Sequence, residues 1–321
     1  MDATPPSPAK PARKWLRVAI YLFATVGLLL TLTIAYFAFS AKTKPADRSF
    51  DTNEAIDGIM TRNYGKYSPA DKAWHYVDEA RHETYLVTVV QQKKVNGKEG
   101  DELYLVTSGR VIESKDGPLS FYGVFQLRYR DGQLHEYGDA RRPSGFHPVT
   151  PEQVHFEALS ADVWGWVVKL LTIEDGDGEA FTTTLNVVLA PRDEQIAVLG
   201  EFYAEYQILG TDNCEETERY YASWKKKQDK RQLAPAEGEG SPESASEELT
   251  EEDVMEPPRC TTLQWSYRTD PVTNATFTPL YISRKAGMKE GVKVDAKTWK
   301  VMFDPKSYTY LLPDELKYPG T

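Results

Sequence analysis

The chain has 321 residues, with 48 acidic and 38 basic side chains and a formal charge of −10. An acidic balance of that size excludes a nucleic-acid binder, which needs a basic face, and argues against a body lying flat on anionic lipid. Two cysteines far apart exclude a four-thiolate metal site and a CxxC redox motif.

Residues 1–17 are rich in proline (Pro5, Pro6, Pro8, Pro11) and end in Lys10, Arg13, Lys14 and Arg17. They read as a short cytoplasmic tail. Val18–Ser40 follows, 23 residues without a charged side chain. As a helix it is about 35 Å long, enough for a hydrocarbon core of about 30 Å. Trp15, Tyr21 and Tyr36 fall near its ends, where aromatic rings favour the interface. Ala38 and Ser40 have the spacing of a signal-peptidase site before Ala41, but the apolar part is longer than a signal h-region, so the run reads as an uncleaved transmembrane anchor. The basic residues before it outnumber Lys42, Lys44 and Arg48 after it, which favours a cytoplasmic N-terminus. The bulk of the chain then lies outside the cytoplasmic (inner) membrane, in the periplasm of a two-membrane bacterium.

Residues 41–69 read as a stalk, with a weak helical pattern over Thr52–Met60. The next segment, Ala70–Glu83, predicts a short helix with Ala73, Trp74, Val77 and Ala80 on one side. His75, Glu79 and His82 share the other side. Such a set suits a divalent metal, although the face points away from the apolar stripe and solvated polar residues explain it with no metal.

From Thr84 the period changes to two. Runs at Tyr85–Val95, Glu102–Glu113, Leu119–Arg130 and Gln133–Tyr137 are separated by Asn96-Gly97, Asp116-Gly117 and Asp131-Gly132, which predicts a meander of hairpins. Phe121, Gly123, Phe125, Leu127 and Tyr129 share a face that fills a core. Gln126, Arg128 and Arg130 take the opposite face, expected to be wet. Residues 138–151 read as a loop, where the adjacent Arg141 and Arg142 suit a carboxylate or phosphate or simply meet solvent.

Strands are expected over Gln153–Leu159, Asp162–Ile173, Ala180–Ala190 and Gln195–Leu209. Trp164 and Trp166 project from one face; a pair like this stacks on a sugar or aromatic ligand, or packs in a core. The turn at 174–179, EDGDGE, resembles the start of a calcium loop through Asp175 and Asp177. It lacks the distal Glu and the helical flanks of that motif, so an acidic hairpin turn is the simpler reading.

Asp212 and Asn213 open a helix with Glu215, Glu216 and Glu218 in its first turns and Lys225–Arg231 in its last, matching the helix dipole. Pro235–Pro258 is an acidic insert: nine acids and no base between Ala236 and Glu256, a composition that predicts disorder. In an oxidising compartment Cys214 and Cys260 form a disulfide across the base of this insert; in a reducing one they are two buried thiols. Further strands are expected at Thr261–Arg268, Thr276–Arg284, Trp299–Phe303 and Tyr308–Leu312, with turns at Asp270-Pro271 and Asp304-Pro305.

The expected fold is thus mainly β, an antiparallel meander or sandwich-like extracytoplasmic domain (70–234 completed by 259–321) with a few short helices, behind one transmembrane helix. No nucleophile elbow, SxxK, HExxH, Walker loop or dinucleotide fingerprint occurs, and no cofactor is implied. Three functions remain open: a membrane-tethered binding or scaffold module of the cell envelope, partnered by the bilayer and by an envelope protein; a hydrolase of cell-wall or glycan material, which needs only two carboxylates placed in space; and a sensor, whose short cytoplasmic tail requires a partner in the membrane.

Overall fold

A computed structural model describes residues 48–113, 119–176, 179–208, 213–233 and 255–317. The apolar run at 18–40, the Asp116-Gly117 turn and residues 234–254 of the acidic insert lie outside them. Among the described residues no helix is long and apolar enough to cross a membrane.

The described chain is mainly antiparallel β with few helices. It opens with helix α1 (Thr52–Tyr64), started by the Asp51 carboxylate accepting the Glu54 N–H at 2.9 Å and ended at Gly65 with φ of 93°. A six-stranded meander follows: β1 (Tyr67–Ser68), β2 (Ala73–Asp78), β3 (Glu83–Asn96), β4 (Asp101–Glu113), β5 (Ser120–Arg130) and β6 (Gln133–Gly145), each paired with the next. The Asp131-Gly132 connection has two left-handed residues, φ 51° and 79°, the turn whose twist matches a tight hairpin.

The second sheet starts with β7 (Val154–Ser160), β8 (Val163–Gly176), β9 (Glu179–Arg192) and β10 (Gln195–Ile208). Helix α2 (Cys214–Leu233) follows, and the Asn213 side chain caps it by accepting the Glu216 N–H at 3.3 Å. Strand β11 (Thr262–Thr269) pairs with β10 through its first residues and with β12 (Leu280–Arg284) through the rest. The hairpin β13 (Gly287–Lys289) and β14 (Val292–Val294), β15 (Lys297–Val301), and the pair β16 (Phe303–Asp304) and β17 (Thr309–Tyr310) complete the chain.

Three cores stack these layers. Ile56, Ile59, Met60 and Tyr64 of α1 lie against Tyr85, Val87, Leu105, Phe121 and Phe125 on one face of the first sheet. Tyr104, Val106, Tyr122 and Val124 on its other face meet Trp166, Val168, Val187 and Leu189 of the second sheet. Val167, Val188, Leu199 and Phe202, on the far side of the second sheet, meet Leu280, Ile282, Val301 and Tyr310 of the C-terminal layer. Each sheet is therefore buried on both faces.

Four expectations change. Residues 52–64, read as part of a stalk, are a helix whose buried stripe helps to form the first core. The helix expected over 70–83 is instead β2 and a turn. Trp74, Tyr76 and Val77 favour a strand, and the Asp78 carboxylate accepts the N–H groups of Ala80 and Arg81, turning the chain before a left-handed His82 (φ 56°). The loop expected at 138–151 is strand as far as Gly145. It holds Pro143 because β6 is an edge strand of its sheet, where a missing N–H interrupts no ladder. Of the face of β5 expected to be wet, Gln126 is covered by the second sheet and 1% exposed and Arg128 is half-buried, while Arg130 is exposed as expected.

Candidate binding mouth between the sheets

The two sheets bring four turns to one end: 97–100 and 131–132 from the first, 161–162 and 193–194 from the second. Lys98 Nζ reaches Asp162 Oδ2 across the gap at 2.8 Å, and Arg130 Nη1 lies 3.8 Å from Glu194 Oε1. At this end the inward positions of β4 and β5 change from apolar to polar. Tyr104 and Val106 give way to Glu102, and Tyr122 and Val124 give way to Gln126, Arg128 and Arg130.

The buried groups form a network. Tyr104 Oη donates to Glu102 Oε2 at 3.0 Å, and Gln126 Nε2 donates to Glu102 Oε2 at 3.0 Å and to Tyr104 Oη at 2.9 Å. Burial pushes the Glu102 carboxyl above the usual carboxylate range, against the opposing pull of these bonds and of the Arg128 charge. Burial also pushes the Tyr104 phenol up, and the neighbouring Glu102 charge adds to the shift. The Arg128 guanidinium lies over the Tyr137 ring at 5.0 Å. Gln126 Oε1 and Arg128 Nε have no hydrogen-bond partner among the described residues. A cleft of about 570 Å³ is lined by Arg130 and residues 192–197. Arg192 is stacked on Tyr308 with its guanidinium carbon 4.8 Å from the ring centre.

The cleft thus offers guanidinium donors, the carboxylates of Asp193 and Glu194, and a short apolar wall at Ile196 and Ala197. Such a mixture suits reversible binding of a polar ligand. Asp193 and Glu194 sit side by side on one turn, and Glu102 is engaged with Tyr104 and Gln126.

The residues singled out from sequence lie elsewhere. Trp166 is wholly buried, with its ring 5.2 Å from that of Tyr104, so it packs the core and is closed to a ligand. Trp164 is half-buried at the edge of the same core, under Lys93 Nζ at 3.8 Å from the ring centre. Arg141 and Arg142 part company because successive strand residues face opposite ways. Arg141 bonds Tyr76 Oη and stands 4.0 Å from Asp78 Oδ2, whereas Arg142 pairs with Asp139 at 2.8 Å. Without the predicted helix, His75, Glu79 and His82 are not gathered: His75 bonds Asp71 at 2.7 Å, and Glu79 and His82 belong to the turn after β2. The Asp175 side chain and all of Asp177 fall outside the described residues. Among the described residues no group of three His, Cys, Asp or Glu is placed to hold a metal ion.

Cys214 and Cys260 are paired, with Cα atoms 5.1 Å apart. The bridge ties the start of α2 to the chain re-entering at β11. Glu218 reinforces it by accepting from Arg259 at 2.8 Å and from the Cys260 N–H at 3.0 Å. The Arg259 guanidinium, helped by that N–H, holds the Glu218 carboxyl below the usual range.

Sequence reasoning missed Glu102, Gln126, Arg128 and Arg192. The available signal was the unbroken apolar stretch 121–125, which marks a strand covered on both faces and so turns Gln126 and Arg128 inward. No family model matches the chain, and no curated protein or solved structure resembles it.

Proposed function

We propose that this chain is a single-pass, membrane-anchored binding or scaffold protein of the bacterial cell envelope, with its N-terminus in the cytoplasm and residues 41–321 in the periplasm. One observation carries the reading: the pairing of Cys214 with Cys260, the chain's only cysteines. Disulfides persist in oxidising compartments, and here the pair lies downstream of an apolar run long enough to span a bilayer. The cleft at the turn end supports binding, since Arg130, Arg192, Asp193 and Glu194 line it together. Binding is preferred to the hydrolase reading because the carboxylates there are adjacent or already bonded.

The test is a fusion at Thr321 of a reporter that works only outside the cytoplasm, read beside one that works only inside. The first should be active and the second silent, with the protein retained in the membrane fraction and its N-terminal sequence intact. Activity of the inner reporter alone, or a purified protein beginning at Ala41, would contradict it.

A further inference from the structure

The C-terminal layer contains an unfilled strand position. Strand β15 pairs with β12 on one side only among the described residues. On its other side the chain begins to form a neighbour and then withdraws. Strand β17 pairs with β16 (Phe303 with Tyr310), and the Leu311 N–H donates to Met302 O at 2.8 Å, so this stretch runs towards the open edge of β15. Pro313 then starts a 3-10 turn over 314–316 that takes Leu316 into the core. The departure leaves a groove of about 710 Å³ between Thr298–Lys300 and the stretch from Thr309 to Pro313.

The groove has a distinct chemistry. Trp299, Leu311 and Leu312 line it with Lys300 and Lys317. Lys317 is paired with Asp314 at 2.6 Å, and Glu315 beside the groove is paired with Lys297 at 2.7 Å. Leu311 is 59% exposed, and so is Met302 beside it at 51%. Lys300 has no carboxylate within ion-pair distance among the described residues. From Arg259 to Lys317 the chain carries ten basic and six acidic residues, the reverse of its overall balance.

We propose that this groove takes an extended acidic segment of a partner protein, which adds as a strand to β15. Main-chain bonds to the open edge would hold such a segment, apolar side chains on one of its faces would meet Trp299, and carboxylates on the other would face Lys300, on the same side as Leu311. Lysines on an edge also decide against a second copy of this chain, because β15 laid on β15 sets like charges together. The inference rests on the binding reading above and gives the partner's chemistry.

The test uses the full chain in detergent, with labelled heptapeptides that alternate Val with Glu or Val with Lys, followed by fluorescence anisotropy. The Glu peptide should bind about fivefold more tightly than the Lys peptide, the difference between an opposite-charge and a like-charge cross-strand pair at Lys300. Lys300→Glu with Lys317→Glu should reverse the preference, and N-methylation of alternate peptide bonds in the Glu peptide should abolish binding to the unaltered protein. Equal binding of both peptides, binding of neither, or survival of binding after N-methylation would overturn the proposal. So would disulfide-linked dimers of a Met302→Cys variant, which assign the groove to a second copy, or binding seen only after deletion of 318–321, which assigns it to the chain's own end. Failure here with a periplasmic reporter signal at Thr321 defeats this inference and leaves the envelope reading standing.

Discussion

The middle and the turn end of the space between the sheets are built from the same strands, yet they differ in kind. In the middle, Val106, Val124, Val168 and Val187 close around Trp166. Two residues further along, β4 and β5 present Glu102, Gln126 and Arg128 to the same gap. The middle accounts for stability, since each fully buried large apolar side chain contributes about 1.5–3 kcal/mol. The turn end gains less from apolar burial, and there Gln126 Oε1 and Arg128 Nε lack partners among the described residues, a cost of about 1–3 kcal/mol for each such buried atom that Trp166 Nε1 in the middle shares.

This contrast sets the expected size of substitutions. Trp166→Ala should be the most damaging, costing about 3–5 kcal/mol in urea unfolding, because a core closed by two sheets cannot collapse into the space. Gln126→Ala should cost less, about 1–3 kcal/mol, by removing two donations into the Glu102–Tyr104 pair. A loss as large as that of Trp166→Ala would mean the mouth is core after all.

Glu102→Gln should act in the other direction. Burial raises the folded-state pKa of Glu102, so its protonated form favours folding. That contribution is complete below the ordinary glutamate range and is lost as pH rises through the raised value. Thermal stability of the natural protein should therefore fall over that rise, and the Gln variant should flatten this part of the profile and melt higher at neutral pH. An unchanged profile would show that Glu102 is solvated. The smallest effect belongs to Lys93→Ala, which removes the cation over Trp164 for about 0.5–1 kcal/mol.

The pattern of what sequence could show follows the same division. Hairpins were legible where two adjacent residues carry the whole signal, as at Asp131-Gly132. The cysteine pairing was legible because the chain has only two candidates. Segments whose conformation is decided by distant partners were not. Residues 52–64 carry only a weak stripe, and the helix has its place through Tyr64, whose hydroxyl bonds Thr107 Oγ1 and Ala140 O beside Gly123. A side chain at Gly123 would stand 2.8 Å from that same carbonyl oxygen, a constraint set by tertiary packing. The run 73–78 satisfies both a helical and an alternating pattern, and pairing with β3 settles it. The mouth was hidden for a related reason. Gln126 and Arg128 look like solvent-facing residues until a second sheet covers them.

The account as a whole depends on where the body of the chain resides. The most direct measurement is mass-tagging of thiols in unreduced, rapidly denatured whole cells by a maleimide polymer. Cys214 and Cys260 should take no tag until reductant is added, and two tags afterwards. Two tags without reductant would place both cysteines in a reducing compartment and contradict the envelope reading.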